Sequence, residues 1–117
     1  MLMLYSQLHH QEEDQDNLVS SFNHLLLQNP TPPIFHFGKI LGSLVKANHY
    51  YIVVSLHRQM ELNGIASNLV TLSILINCFS QLGQSSLSFS VFANILKKGY
   101  EPNAITLNTL IKGLCLK

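Results

Sequence analysis

The sequence predicts an all-α fold, an α-solenoid of helical hairpins that repeat every 35 residues. Residues that can end a helix recur at that spacing, and apolar residues follow a helical periodicity between them. In addition, two similar stretches, "VTLSILI" at 70–76 and "ITLNTLI" at 105–111, lie 35 residues apart. Each stretch holds one small polar side chain, Ser73 or Asn108, within an apolar run.

The helix-ending residues form two series. Asn29, Gly64 and Gly99 are 35 residues apart, and so are Asn48 and Gly83. Glycine and asparagine tolerate the left-handed backbone conformation in which many helices end. These positions therefore divide each period into a helix, a short turn, a second helix and another short turn.

The predicted repeats follow from this periodicity. Residues 16–34 form a degenerate half-repeat that keeps only its second helix, and two full repeats follow over 35–69 and 70–104. A truncated repeat over 105–117 holds only a first helix. We therefore expect an N-terminal fragment of a longer solenoid, with further repeats beyond Lys117 or association through uncapped ends. The predicted helices lie at about 16–29, 35–47, 50–62, 70–82, 85–97 and 105–116.

The charge is divided unevenly along the chain. Residues 1–34 carry a formal charge of −4 and residues 35–117 carry +5, for a net charge of +1. This asymmetry is compatible with an anionic partner for the body of the chain, or with ordinary solvated lysines. The first 15 residues are acidic, and we expect them to be disordered. They lack arginine and differ from an organellar transit peptide, so we expect either that this segment is not one or that the true N-terminus is missing.

The composition argues against a membrane span, an enzyme and a metal site. The uncharged span 62–96 has amides and turn residues in every 20-residue window. Beyond the acidic N-terminus the only carboxylates, Glu61 and Glu101, occupy different parts of successive repeats. The six histidines lack metal-ligand spacing, and Cys78 and Cys115 are interpreted as buried free thiols. We predict no catalytic residue, no metal, no cofactor and no small-molecule substrate.

The repeated segment resembles a known family. The stretch that opens "VTLSILINCFSQLG" and closes "VFANILKKGYEPNA" resembles the pentatricopeptide repeat, and "ITLNTLIKGLC" resembles the start of the next copy. The period is 35 residues, whereas the tetratricopeptide repeat has 34 and carries Trp and Gly-x-x-Tyr marks that are missing here. The run "PTPPIFHFGKILGSLVKANHY" further resembles the plant P-class subgroup similar to fertility restorers. The resemblance covers residues 16–117 and implies a right-handed solenoid.

The resemblance also implies a function. Pentatricopeptide repeats bind single-stranded RNA and read one base per repeat with two or three side chains. Proteins of this family are usually mitochondrial, with the chloroplast as the alternative, and act in RNA processing, stabilisation or translation. The resemblance implies no catalysis and no membrane association, and it implies that lysines and arginines at helix ends attract phosphates.

The resemblance also implies roles for individual residues, according to their position in the repeat. The polar residue of the first helix and the last residue of the repeat together read a base, and the residue three before that polar one packs beside it. For the repeat counted as 69–103, this implies base reading by Ser73 and Asn103 with Val70 as the packing residue, a combination that usually implies adenine. In the next repeat Asn108 would read a base, usually a pyrimidine, with Ile105 packing and a partner beyond residue 117.

In the frame that these roles use, the preceding repeat spans 34–68, and it departs from this pattern. Gly38 stands where a polar reader is expected, so Asn68 and Phe35 would contact RNA without choosing a base. Other interpretations stay open from the sequence. The chain could be a solenoid that binds a peptide on its concave face, or a truncated and non-functional repeat fragment. Ser73 and Asn108 could also be merely solvated.

Overall fold

The computed structural model describes the backbone of residues 2–115 and the side chains from Asp14 to Cys115. Over residues 2–115 the chain forms α-helices and no strand, which confirms the all-α class. Leu116 and Lys117, which end the predicted truncated repeat, lie outside the described residues. The helices are α1 (Leu2–Leu27), α2 (Ile34–Lys46), α3 (Tyr50–Leu62), α4 (Leu69–Gln81), α5 (Ser85–Lys97) and α6 (Ala104–Cys115).

The helices repeat as hairpins. The first helices α2, α4 and α6 begin 35 residues apart, at Ile34, Leu69 and Ala104, and the second helices α3 and α5 begin 35 residues apart, at Tyr50 and Ser85. The predicted helical hairpins are therefore confirmed. Each first helix begins one residue before its predicted start, which is the usual uncertainty of a helix end.

Four of the five predicted helix-ending residues adopt the left-handed backbone conformation. Their φ angles are 63° for Asn48, 79° for Gly64, 73° for Gly83 and 84° for Gly99. The prediction fails at Asn29, which has no positive φ. Asn29 precedes Pro30, and the proline ring pushes the preceding residue toward the extended region.

The helix α1 is longer than the sequence suggested. Residues 1–15 were expected to be disordered, but the helix begins at Leu2 and continues to Leu27. The segment from Leu2 to Leu27 holds no proline or glycine that would interrupt a helix. Among the described residues, no helix combines the length and the apolar character that crossing a bilayer requires.

The core is arranged around α4, which packs against α2, α3, α5 and α6. At one end α1 joins the stack, where the rings of Phe22 and Phe37 meet edge to face with centroids 5.4 Å apart. Cys78 is fully buried in this part of the core, and burial raises the pKa of its thiol to about 12. The prediction of a buried thiol is wrong for Cys115, which is exposed near the end of α6.

Candidate nucleic-acid interface

A ladder of exposed apolar side chains runs along one side of the first helices. Phe35, Val70 and Ile105 are each the second residue of a first helix, and they are 67%, 58% and 70% exposed. Single exposed apolar residues are ordinary on protein surfaces. Three of them at the same position of successive repeats form a regular surface with a spacing of one repeat.

Two clefts separate the members of this ladder. The first cleft lies between Phe35 and Val70 and measures about 290 Å³, and the second cleft lies between Val70 and Ile105 and measures about 190 Å³. Sites for drug-sized ligands usually begin at about 300 Å³, so each cleft suits one small flat group. The first cleft is lined by Ile34, Phe35, Gly38, Lys39, Asn68 and Val70. The second cleft is lined by Val70, Ser73, Ile74, Asn77, Asn103, Ile105 and Thr109.

The clefts bring together most of the residues that the sequence singled out. Ser73, Asn103, Val70 and Ile105 all line the second cleft, although they come from two helices and the connection before α6. Phe35, Gly38 and Asn68 line the first cleft together with Val70. Asn108 is exposed on α6 and is not among the residues that line these two clefts.

Asn68 and Asn103 also begin the helices that follow them. The Oδ1 atom of Asn68 accepts a hydrogen bond from the backbone N–H of Thr71 at 2.9 Å, and the backbone N–H of Asn68 donates to the Thr71 hydroxyl at 2.9 Å. This reciprocal pair is a capping box, which satisfies donors that a helix start leaves free. At α6 the Oδ1 atom of Asn103 accepts from the backbone N–H of Thr106 at 2.9 Å. Both helix starts therefore hold an asparagine amide at the rim of a cleft.

Ser73 lies at the inner wall of the second cleft and is only 9% exposed. Its hydroxyl is 2.7 Å from the hydroxyl of Thr106, which in turn donates a hydrogen bond to Oδ1 of Asn103 at 2.9 Å. The open interpretation that Ser73 is merely solvated is therefore wrong, because the side chain is buried and hydrogen-bonded. The interpretation remains compatible with Asn108, whose side chain is exposed.

Sequence reasoning missed Thr106, which is fully buried and joins Ser73 to Asn103. A signal was present in the sequence. Threonine follows asparagine by three residues in both "NLVT" at 68–71 and "NAIT" at 103–106, and the two copies are 35 residues apart. A small polar residue three positions after an N-cap residue is a recognisable helix-start pattern.

The two clefts differ in charge. The side chains that line the second cleft are neutral, so its polar atoms are hydroxyl and amide groups. The first cleft includes Lys39, an exposed residue of α2. A cation at the edge of a cleft is suited to an anionic group such as a phosphate, and a neutral polar wall is suited to hydrogen bonds with a flat uncharged ring.

Away from the clefts, His57 joins a serine and a glutamate. The Nε2 atom of His57 is 3.2 Å from the hydroxyl of Ser67, and its Nδ1 atom is 3.2 Å from Oε1 of Glu61. The order of groups resembles a hydrolytic triad. However, Ser67 and His57 are only 2% and 1% exposed, so a substrate cannot reach the serine hydroxyl. The group instead ties α3 to the connection before α4.

The hairpins and the ladder of clefts define a class of protein, a helical-repeat protein that presents one small cleft per repeat. Similarity to a known protein family and to known sequences agrees with this description. The model of the PPR repeat family matches residues 75–116, which span most of the second full repeat and α6. This match, together with the family name that the sequence relatives carry, shows that the chain contains pentatricopeptide repeats.

Three of the relatives, all from Arabidopsis thaliana, illustrate the similarity. A putative mitochondrial pentatricopeptide repeat-containing protein is 36% identical over 103 residues, which cover 88% of this chain and 17% of the relative. A second, also named mitochondrial, is 44% identical over 87 residues, covering 74% of this chain and 14% of the relative. A third pentatricopeptide repeat-containing protein is 42% identical over 88 residues, which cover 75% of this chain and 14% of the relative. The chain thus spans less than a fifth of the length of these relatives.

Proposed function

We propose that this chain binds single-stranded RNA and that the second cleft reads one base. The observation that carries the proposal is the meeting of Val70, Ser73, Asn103 and Ile105 in a single cleft. Exposed apolar side chains on both sides can pack against the faces of a base, and polar atoms at the wall can bond its edge. Recognition of single-stranded RNA commonly combines these two kinds of contact.

The two clefts contribute differently to this function. The second cleft selects a base, with adenine expected from Ser73 and Asn103. The first cleft holds a base between Phe35 and Val70 without choosing it, because Gly38 has no polar side chain. In the repeat that α6 begins, Asn108 is the proposed reader and Ile105 the packing residue. Lys39 adds attraction to phosphate that weakens as the salt concentration rises.

The cellular setting is part of the same proposal. Several relatives carry the word mitochondrial in their names, and this supports an organellar role, with mitochondria ahead of chloroplasts. We place the chain in the P-class and in the subgroup similar to fertility restorers on the segment at 30–50. Its role there is the processing, stabilisation or translation of organellar RNA, without catalysis of its own.

Base selection can be tested on the chain itself. Two clefts contact about two bases, so affinity will be weak, and chemical-shift titration by NMR suits it. The probes are pentaribonucleotides of adenosine, cytidine, uridine or inosine, with inosine standing in for guanosine. The expected result is saturable shifts at the backbone amides of the second cleft and at the Asn103 side-chain amide, and tightest binding of the adenosine oligomer.

Two substitutions test the readers. Ser73→Ala removes the hydroxyl, and Asn103→Ser removes the amide while keeping a good N-cap residue, so α6 still begins normally. Each is expected to reduce the preference for adenosine about threefold or more, the worth of roughly one hydrogen bond. Ser90→Ala is the control, since this exposed hydroxyl bonds only the Ser86 carbonyl of its own helix. Unchanged base preference in both reader variants would reject the assignment.

A further inference from the structure

Two threonines at the same repeat position point their side chains differently. Thr106 places its hydroxyl 2.7 Å from the Ser73 hydroxyl and donates to Oδ1 of Asn103. Thr71, one repeat earlier, instead donates its hydroxyl to the carbonyl of Asn68 at 3.1 Å. Its methyl group faces Gly38, 3.6 Å from the position that a Cβ atom would occupy there. The hydroxyl therefore faces the preceding repeat only where a serine is present to meet it.

The bonding around Thr106 determines where each proton lies. The backbone N–H of Thr106 can only donate, so the Asn103 side-chain atom that faces it must be the acceptor Oδ1. The same Oδ1 atom receives the single hydroxyl proton of Thr106. Since Thr106 has no second hydroxyl proton, Ser73 must be the donor in the 2.7 Å contact between the two hydroxyls. The chain of donation thus runs from Ser73 to Thr106 to Asn103.

Because the donation runs from Ser73 to Thr106 to Asn103, each polar group that faces the second cleft has a fixed role as a donor or an acceptor. Ser73 has already donated its proton and can only accept from a ligand. Asn103 has its Oδ1 atom occupied twice and can only donate from its NH₂ group. Ser73 lies deep in the cleft at 9% exposure, whereas Asn103 is exposed at the rim.

We propose that Thr106 is a positioning residue that sets the hydrogen-bond polarity of the second cleft, as an acceptor at Ser73 and a donor at Asn103. This inference rests on the proposed RNA-binding function. It names the ligand class as bases that carry an exocyclic amino group beside an unprotonated ring nitrogen, such as adenine and cytosine. The projecting amino group reaches the deeper Ser73, and the ring nitrogen accepts from Asn103.

Bases with an oxo group are disfavoured by the same polarity. Uracil and hypoxanthine, the base of inosine, would place an oxo oxygen against the acceptor Ser73 and a ring N–H against the donor Asn103. Both contacts leave polar groups unpaired in a partly buried site. Without the Thr106 hydroxyl, the Ser73 hydroxyl could rotate to donate, so it could meet either an amino or an oxo group. The backbone N–H of residue 106 would still hold Oδ1 of Asn103, so the Asn103 amide would remain a donor.

The test uses the full chain and the same four pentaribonucleotides, with affinity read from the Asn103 side-chain amide. The unmodified protein is expected to bind adenosine and cytidine oligomers about fivefold or more tighter than uridine and inosine oligomers. Thr106→Val keeps the branched shape and removes the hydroxyl. It should lower this ratio to about twofold, the discrimination that the Asn103 amide retains. Thr106→Ser restores the hydroxyl and should restore the ratio.

A matched control separates this effect from a general loss of a buried hydroxyl. Ser88→Ala removes a hydroxyl that is 1% exposed and bonded to Ser80 and to the Ile76 carbonyl, away from the clefts. It should lower the melting temperature but keep the preference for amino-bearing bases. If Thr106→Val does not fold, Thr106→Ala replaces it, since it leaves space rather than strain.

The possible outcomes are distinct. A Thr106→Val protein that binds RNA with the full base ratio overturns the role of Thr106 and leaves the proposed function standing. Absence of RNA-induced shifts at the clefts of the unmodified protein overturns both. The free protein supplies a check that needs no variant. The Ser73 hydroxyl proton should exchange slowly and contact the Thr106 side chain in NOE spectra, and a rapidly exchanging proton there contradicts the proposal.

Discussion

Gly38 and Ser73 occupy the same position of successive first helices and differ by one hydroxymethyl group. A Cβ atom at Gly38 would lie 3.6 Å from the Thr71 methyl carbon and 4.0 Å from the nearest Val70 methyl carbon, which are ordinary contacts. The first cleft therefore has room for a serine. Its lack of a polar reader follows from a missing side chain and not from a different backbone.

Gly38→Ser is expected to give the first cleft a base preference. The new hydroxyl would draw the Thr71 hydroxyl away from the Asn68 carbonyl and reproduce the arrangement at Ser73, Thr106 and Asn103. The measurement is the amide shift of Asn68 in titrations with the four pentaribonucleotides, which should come to favour adenosine and cytidine about threefold or more.

Gly38→Ala is the matched control for this substitution. It adds the same Cβ atom without a hydroxyl. Removal of a helical glycine should stabilise Gly38→Ala by about 0.5–1 kcal/mol and Gly38→Ser by less, because serine is a poorer helix former than alanine. Only the serine should change base preference. An equal response of Asn68 in the two variants would contradict the expected role of the hydroxyl.

For single residues, the position of a side chain in the repeat could be predicted from the sequence, but its hydrogen-bond partners could not. The 35-residue period and the family pattern grouped Ser73, Asn103 and Val70 around one base, because equivalent positions face the same way in every repeat. They assigned Ile105 to the next base, whereas the structure shows that it also lines the second cleft. They did not identify the contact between Ser73 and Thr106, which joins hydroxyls 33 residues apart on different helices. A contact of that kind depends on how closely α4 and α6 pack.

At the scale of helices, α6 lies close against α4 at Gly113. A Cβ atom on Gly113 would lie 2.6 Å from the Cβ atom of Ser80 and 3.4 Å from its Cα atom, so α6 could not remain where it is. The Ser80 hydroxyl also bonds Ser88 at 3.0 Å, which holds that side chain in place. Glycine at 113 is therefore required by the packing of α6 on α4.

Gly113→Ala is expected to destabilise the protein by about 1–3 kcal/mol, the usual cost of overfilling a packed contact. Gly42→Ala is the matched control, because Gly42 lies inside α2 and a Cβ atom there meets nothing within 4 Å. The control should instead stabilise by about 0.5–1 kcal/mol. Thermal unfolding distinguishes the two, and amide hydrogen exchange in α6 should accelerate only in Gly113→Ala. Similar melting temperatures would show that α6 does not depend on this contact.

The helices were easier to predict than their packing. Turn residues and apolar periodicity placed α2 to α6 within about one residue of their observed ends, because each helix is bounded by residues that stop it. The start of α1 was missed because polar and charged residues without apolar periodicity were interpreted as disorder. The absence of proline and glycine from Leu2 to Leu27 was the better indicator.

At the scale of the whole molecule, one buried group joins successive repeats. His57 of α3 bonds Ser67 in the connection before α4, and the carbonyl of Ser67 accepts from the hydroxyl of Tyr100 at 3.2 Å. Tyr100 follows α5, so parts of both full repeats meet at Ser67. The stability of the stack should therefore respond to the protonation of His57.

The pKa of His57 is lowered from its ordinary value of 6.5, chiefly because burial disfavours the charged form. The Glu61 carboxylate opposes this effect, and the positive charge of Lys98 adds to it. Since the unfolded chain binds a proton more readily, the contribution of His57 to stability is complete above pH 6.5. It is lost as the pH falls from 6.5 toward the lowered pKa of the folded state.

Two variants test this dependence. In the unmodified protein, the free energy of unfolding should fall between pH 7.5 and pH 5 with a contribution from His57 of at most about 1.4 kcal/mol per pH unit. His57→Gln removes the titrating group, so its unfolding free energy should depend less on pH, whatever its absolute stability. His36→Gln changes an exposed histidine of α2 and should keep the slope of the unmodified protein. Urea unfolding across this range provides the measurement, and equal slopes for the unmodified and His57→Gln proteins would mean that His57 does not couple folding to pH.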